Sequence, residues 1–325
     1  MTRPHRAEIL IIASAVVTGA IFFASCSSAP KPPDGVYDAR NKAAELAKLG
    51  DGFMSKAQYA SALQYYADAL KANSAVDDLL GVAASHASMG RAYLAAGEAD
   101  AAKLEYEASL EYARFSGSTE AQSVAKSGLG EIAFAGGAKA EALAYFEEAM
   151  SLAPAVGAAK DEKAFAIALH DAAVAKAALG RAPEAIVDLE RAQGMNLKAK
   201  RWVELGANRY ALASALSGEG RTSEALGAAL GALDADKRAE NARAVPLDLA
   251  AAASLCNKLG RGADAWDYWH RSFDSALSAD DASSVRKALN ALVELAPKLK
   301  KNGARYAALL DKLDQAEGKT STDSP

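Results

Sequence analysis

Residues Arg181 to Ala192 read RAPEAIVDLERA, and this stretch decides the fold because it returns. Arg221 to Ala232 reads RTSEALGAALGA, and Arg261 to Ser272 reads RGADAWDYWHRS. Each copy follows a glycine (Gly180, Gly220, Gly260) and sets an acid before an alanine (Glu184-Ala185, Glu224-Ala225, Asp264-Ala265). A second small residue stands seven positions beyond that alanine: Ala192, Ala232, Ser272. The same frame runs upstream at Asp100 to Ser109, at Glu141 to Ala149, and from Ala62 through Tyr66 to Ala69. The anchoring alanines Ala62, Ala102, Ala142, Ala185, Ala225 and Ala265 are spaced by 40, 40, 43, 40 and 40 residues. A fixed period of this length marks stacked repeats, in which no single repeat buries its apolar face alone.

The composition agrees with helices. The chain has 325 residues, 51% of them hydrophobic, and only 9 prolines. Alanine, the residue with the lowest helical cost, is abundant, and no segment alternates like a strand. A net charge of −4 argues against a nucleic-acid backbone as the main partner.

Within the period, small and large residues also recur. Gly50, Gly90, Gly130, Ala173, Ala213 and Ala253 share one place, and Tyr66, Tyr106, Phe146, Leu189, Ala229 and Trp269 share another further on. With the anchoring alanines, these places resemble the eighth, twentieth and twenty-fourth places of the tetratricopeptide repeat (TPR) family. In that family each repeat is a hairpin of two helices, A and B, with a small A-helix residue facing a bulky B-helix one. The first three copies match well and the last three are degenerate. HEAT-type repeats share the 40-residue length. The small A-helix residue and the Glu-Ala-Leu opening of helix B favour the tetratricopeptide reading.

The resemblance covers residues 38–278. It implies an all-α, TPR-like α-solenoid of about six 40-residue hairpins, near 38–72, 77–114, 118–152, 158–195, 198–235 and 240–278. A C-terminal capping helix pair is expected within 279–316, split by Pro297. Glycines at the A–B turns (Gly97, Gly137, Gly180, Gly220, Gly260) suit the left-handed end of a helix. Pro183 suits a first turn, Thr222 or Ser223 suits a cap, and Glu141, Glu184, Glu224 and Asp264 suit the helix dipole. Pro154 is expected to close the third repeat, and the three extra residues to enter near Gly157 to Lys163.

Residues 1–25 read as a signal peptide. Arg3, His5 and Arg6 precede an apolar run from Ile9 to Phe23, which is short for a membrane span. Phe23-Ala24-Ser25-Cys26 resembles the lipobox of bacterial lipoproteins, with Phe23 where an aliphatic residue is usual. That resemblance implies lipidation of Cys26; an ordinary secretory signal or an anchor helix are the alternatives. Two or three acyl chains would hold the protein to a membrane. Ser27 favours the periplasmic face of the outer membrane, with the inner membrane as the alternative. Residues 26–37 read as the lipidated cysteine and a flexible tether, and residues 317–325 as a disordered tail. Cys256 lies on an apolar stripe, which predicts a buried thiol with no disulfide partner.

No catalytic constellation, metal site or cofactor loop is evident. His5, His86, His170 and His270 each stand apart, Gly128-Leu129-Gly130 follows no strand, and acids fall at helix starts and exposed faces. The resemblance implies instead a concave groove lined by A helices. Its ninth, twelfth and fifth places supply the candidate partner-binding residues Asp51, Met54, Arg91, Leu94, Glu131, Phe134, His170, Tyr210 and Asn257. The first half of this groove is expected to alternate charge, flanked by exposed apolar side chains. Ion pairing among Asp51, Arg91 and Glu131 across neighbouring repeats is the competing explanation. The Lys and Asn set that clamps chaperone C-termini in some members is absent.

These readings point to a non-catalytic protein–protein interaction scaffold or assembly factor, carried on a lipid-anchored lipoprotein of the bacterial cell envelope. Its partners would be other envelope proteins or peptides. The alternative, a ligand-binding accessory lipoprotein of a transport system, would need a closed apolar pocket.

Overall fold

The computed structural model describes residues 34–153 and 162–316. The expectations for Cys26, Pro154, the insertion near Gly157 and the C-terminal tail lie outside those residues. Among the described residues there are fourteen α-helices and no strand. In order these are α1 (Asp34–Met54), α2 (Tyr59–Ser74), α3 (Leu79–Ala96), α4 (Ala99–Phe115), α5 (Thr119–Ala135), α6 (Lys139–Leu152) and α7 (Glu162–Ala178). The second half holds α8 (Ala182–Lys198), α9 (Trp202–Gly218), α10 (Thr222–Arg238), α11 (Val245–Lys258), α12 (Gly262–Ser278), α13 (Ala282–Lys298) and α14 (Ala304–Ala316). Odd-numbered helices are the A helices of seven successive hairpins and even-numbered ones the B helices. Helix α1 begins within the stretch read as tether, directly after its last proline, Pro33.

The 40-residue period follows from helix length and turn chemistry. Most helices have 17 residues. Each A–B turn carries one left-handed residue: Ala57, Gly97, Gly137, Gly180, Gly220, Gly260 and Lys300, with φ between 55 and 84°. At Gly97 the turn is a Schellman motif, with the Glu98 N–H donating to the Tyr93 carbonyl at 2.9 Å and the Gly97 N–H to Leu94 at 3.0 Å. The B–A turns repeat the device at Asp77, Gly117, Lys200, Glu240 and Asp280.

Two local expectations need correction. Thr222 and Ser223 do not cap α10, whose N-cap is Arg221 without a side-chain cap bond. Capping side chains occur at B–A turns instead: Asp78, Ser118 and Asp281 accept from the backbone N–H of Gly81, Ala121 and Ser284. At A–B turns, Arg181, Arg221 and Arg261 pair with Glu184, Glu224 and Asp264 three residues on. Nor does Pro297 split the last pair, since it stands inside α13, one residue before the end of that helix. It forfeits only one late hydrogen bond, and the chain turns at Lys300.

The recurring small and large residues meet. A Cβ on Gly50 would come within 2.5 Å of the Tyr66 ring, one on Gly90 within 2.9 Å of Tyr106, and one on Gly130 within 2.5 Å of Phe146. The anchoring alanines are fully buried, as are Ala192, Ala232 and Ser272. Ser109 and Ser272 use their hydroxyls to bind A-helix carbonyls of Ala83 and Pro246, at 2.9 and 2.8 Å. The three degenerate C-terminal copies nonetheless share one continuous core, from Ala173 through Leu212, Trp266 and Trp269 to Tyr306, while the N-terminal half has three smaller clusters. Tyr306 of α14 closes this core edge-on to Trp266 at 5.6 Å.

Each helix packs against its chain neighbours, and A helices also touch the A helix of the next hairpin. B helices scarcely reach one another. The A helices are therefore crowded on the inner side of the curve, and their free faces form its concave surface. Among the described residues no helix is long and apolar enough to cross a membrane.

Candidate functional site on the concave face

One side chain per repeat from α1, α3 and α5 forms a ladder: Asp51, Arg91, Glu131. Arg91 Nη2 lies 2.7 Å from Asp51 Oδ1 and donates to the Tyr66 hydroxyl at 3.3 Å. That hydroxyl in turn donates to Asp51 at 2.7 Å. The buried ring of Tyr66, seated over Gly50, thus ties two charges of neighbouring repeats together. Burial, then the Asp51 carboxylate, pushes the Tyr66 phenol up to about 12. Both charged side chains are more than half-exposed, so the pair itself contributes under ~1 kcal/mol.

Glu131 departs from this pairing. Among the described residues it makes no hydrogen bond or ion pair, although Arg91 stands one repeat away. It lines an open cleft of about 330 Å³ between α3, α5 and α7, with Ala87, Ser88, Arg91, Ser127, Gly128 and Ile167. Gly128 is required there because a Cβ would collide with the Tyr106 ring. Asp171 follows Ile167 by one helical turn on the same face of α7. Its Oδ2 is buried without a hydrogen-bond partner. Burial raises the Asp171 carboxyl well above the usual range, and the Glu131 charge raises it further. Glu131 is exposed to water at its surface, yet partial desolvation by the surrounding helices raises its carboxyl above the usual range, with the Arg91 charge opposing.

The other candidates are scattered. Met54, Leu94 and Phe134 are only partly exposed, and Phe134 packs on the cluster of Leu143 and Phe146. The expected rim of exposed apolar side chains is therefore not formed, because the helix pair draws these residues toward its own interior. His170 Nδ1 is 2.9 Å from Asn208 Nδ2, and burial pushes the imidazole down to about 4. Tyr210, over one third exposed, lines a second cleft of about 180 Å³ with Ser214, Ser217, Ser254 and Lys258. Asn257 is exposed beside Lys258 and does not line it.

Acids are not confined to helix starts and exposed faces, contrary to expectation. Asp236 of α10 and Asp248 of α11 are 2% and 1% exposed and are hydrogen-bonded to each other. They stand 40 residues after Asn196 and Asn208, whose amides are joined at 2.6 Å in the same place one repeat earlier. That offset was the available signal. The histidines are also less isolated than their spacing implied: His86 Nδ1 lies 2.7 Å from Glu105 Oε2 and its ring stacks on Tyr112. Cys256 is a free, buried thiol. Among the described residues no group of three or more His, Cys, Asp or Glu could hold a metal ion.

No model of a known protein family matches the chain, and no curated protein matches its sequence. Solved structures do match. Aspartyl phosphate phosphatase F from Bacillus subtilis aligns with a TM-score of 0.59 at 12% identity, over 89% of this chain and 74% of that one. The apo form of RapI aligns with a TM-score of 0.63 at 13% identity, over 86% and 77% of the two chains. A Rap protein complexed with competence and sporulation factor aligns at 0.57 with 13% identity, over the same shares. At such identities the likeness defines the fold, which is a tetratricopeptide-type α-solenoid.

Proposed function

We propose that the chain is a non-catalytic scaffold or assembly factor that holds another polypeptide against its A helices. The observation that carries this reading is the concave ladder, where Glu131 in the cleft and Asp171 one turn beyond it are acids without a hydrogen-bond or ion-pair partner among the described residues. A solenoid needs only small and apolar contacts to stack, so unpaired acids retained on its inner face point to a partner. A Rap protein of this fold has been seen in complex with competence and sporulation factor, which supports the same use of the architecture.

The partner-binding protein is further read as a lipoprotein of the bacterial cell envelope, anchored through Cys26 and facing the periplasm. This rests on the sequence of residues 1–26 alone.

A photo-crosslinking amino acid at Ser88 or Val124, in the cleft, should give discrete protein adducts in intact cells. The same probe at Leu104, exposed on α4, should not. Equal labelling from both faces would refute the groove as the contact surface. Metabolic labelling with palmitate should mark the parent chain and not Cys26→Ala; equal labelling of the two removes the anchor.

A further inference from the structure

The cleft between α3, α5 and α7 has a chemistry more specific than general polypeptide binding. Its walls are short and mostly apolar: Ala84, Ala87, Val124, Ala164 and Ile167, with Gly128 packed on the buried Tyr106 ring at its floor. Its far end carries Glu131, and Asp171 stands one turn beyond Ile167 on the same face of α7. No hydrogen bond joins the two carboxylates, and no cation of the described residues pairs with either. Arg91, the nearest guanidinium in the ladder, is already engaged by Asp51 and the Tyr66 hydroxyl. Asp171 Oδ2 is the telling atom, since a buried oxygen with no donor is uncommon in a native fold and calls for an explanation.

We propose that this cleft is a subsite for a lysine side chain of the bound polypeptide. The proposal rests on the polypeptide-binding reading and narrows it. Four methylenes would lie along the alanine, valine and isoleucine wall. The ammonium would meet Glu131 in the cleft, with Ser88 and Ser127 as further acceptors, and would lie in the field of Asp171 one turn past Ile167. An ammonium has three donors and no acceptor, which suits a site made of unpaired acceptors. An anionic group is disfavoured, because two carboxylates face one guanidinium that is already neutralised. A divalent cation is disfavoured as well, since two carboxylates fall short of the six to eight oxygens such an ion takes. Glu131 and Asp171 each repel the other while the subsite is empty, so occupation by a cation relieves a cost built into the free protein.

The test selects binders from a random-peptide phage library on the full chain in detergent micelles. It then repeats the selection on Glu131→Gln and Asp171→Asn. Lysine should be enriched at one position of the peptides selected by the parent and not in those selected by either variant. In the best peptide, replacing that lysine by norleucine keeps the stem and removes the ammonium. It should weaken binding to the unaltered protein by about tenfold or more. Both variants are isosteric and remove a repulsion, so both should melt no lower than the parent. Peptides without lysine enrichment, or a norleucine peptide that binds as tightly, overturn the lysine subsite and leave the scaffold reading standing. A selection that yields no binder from the parent overturns both.

Discussion

The Asp236–Asp248 pair makes stability fall as pH rises, and the effect can be sized. Asp248 sits in the first turn of α11 and Asp236 near the end of α10, both out of water. Asp236 also accepts from Asn241 Nδ2 at 2.8 Å, so it is the member better able to carry charge. Asp248 Oδ2 has no partner. Burial first, then the Asp236 charge, pushes the Asp248 carboxyl up to about 8. In the unfolded chain an aspartate titrates near ~3.9. The folded state therefore binds the extra proton throughout the interval between those values. The stabilisation is complete below the unfolded value and is lost as pH climbs through the folded one, at ~1.4 kcal/mol per pH unit. His170, held down to about 4, acts in the opposite direction below its unfolded pKa of ~6.5, which masks the slope at acid pH. In the window of roughly pH 6.5 to 8, free of the histidine, Asp248 accounts for roughly 2 kcal/mol, and the raised Asp171 carboxyl adds a slope of the same sign that a comparison of parent with an Asp248 variant cancels. Asp248→Asn removes the titration and gives Asp236 an amide donor, copying the Asn196–Asn208 contact one repeat earlier. Urea unfolding followed by circular dichroism across this window should show the variant gaining on the parent by about that amount. A difference that does not change with pH, or a variant less stable than the parent at the upper end of the window, would refute a shared proton.

Gly50→Ala places a Cβ 2.5 Å from a Tyr66 ring whose hydroxyl is held by Asp51 and Arg91. Overpacking should cost ~1–3 kcal/mol against ~1 kcal/mol gained from helix propensity. Gly52→Ala in the same helix meets nothing within 4 Å and should stabilise, so thermal melts that rank Gly50→Ala above Gly52→Ala contradict the packing account. His170 should titrate near pH 4 by NMR, and the parent should lose stability relative to a His170→Gln chain as pH falls from roughly 6.5 toward that value. Removing the imidazole should unmask the opposite slope of Asp248, so a His170→Gln chain that tracks the parent at every pH refutes the assignment. In a Cys26→Ala chain, Cys256 should resist a thiol reagent until denaturant is added, because burial both hides the thiol and raises its pKa.

What was legible in the sequence is what backbone contact demands. A glycine beneath a tyrosine ring, as at Gly50 and Tyr66 or Gly90 and Tyr106, admits almost no other residue, so the contact leaves a mark at a fixed interval. Turns left a weaker mark. Glycine signalled five of the A–B turns, but Ala57 and Lys300 take the same left-handed backbone without it. The groove was half legible. Asp51, Arg91 and Glu131 fall in register because their repeats are 40 residues apart, whereas the 43-residue step moved Val174 into the frame and hid Asp171. Residue type alone misled at Phe134 and at Asp236 and Asp248, since tertiary packing decides whether an aromatic or an acid meets water.

The two acidic pairs of this chain answer the same electrostatic problem differently, and the difference separates structure from function. Asp236 and Asp248 are enclosed between α10 and α11, joined by a hydrogen bond and supported by Asn241. A proton satisfies them from within, and nothing outside could reach them. Glu131 and Asp171 share no hydrogen bond, and one of them faces water in a cleft. A proton on Asp171 would relieve the repulsion but leave the Glu131 charge and the cleft unfilled. The fold could have closed this site by turning Arg91 toward Glu131, yet it commits that guanidinium to Asp51 and Tyr66. An arrangement that leaves a cation's place open while the neighbouring arginine is committed elsewhere fits a cation supplied by the partner.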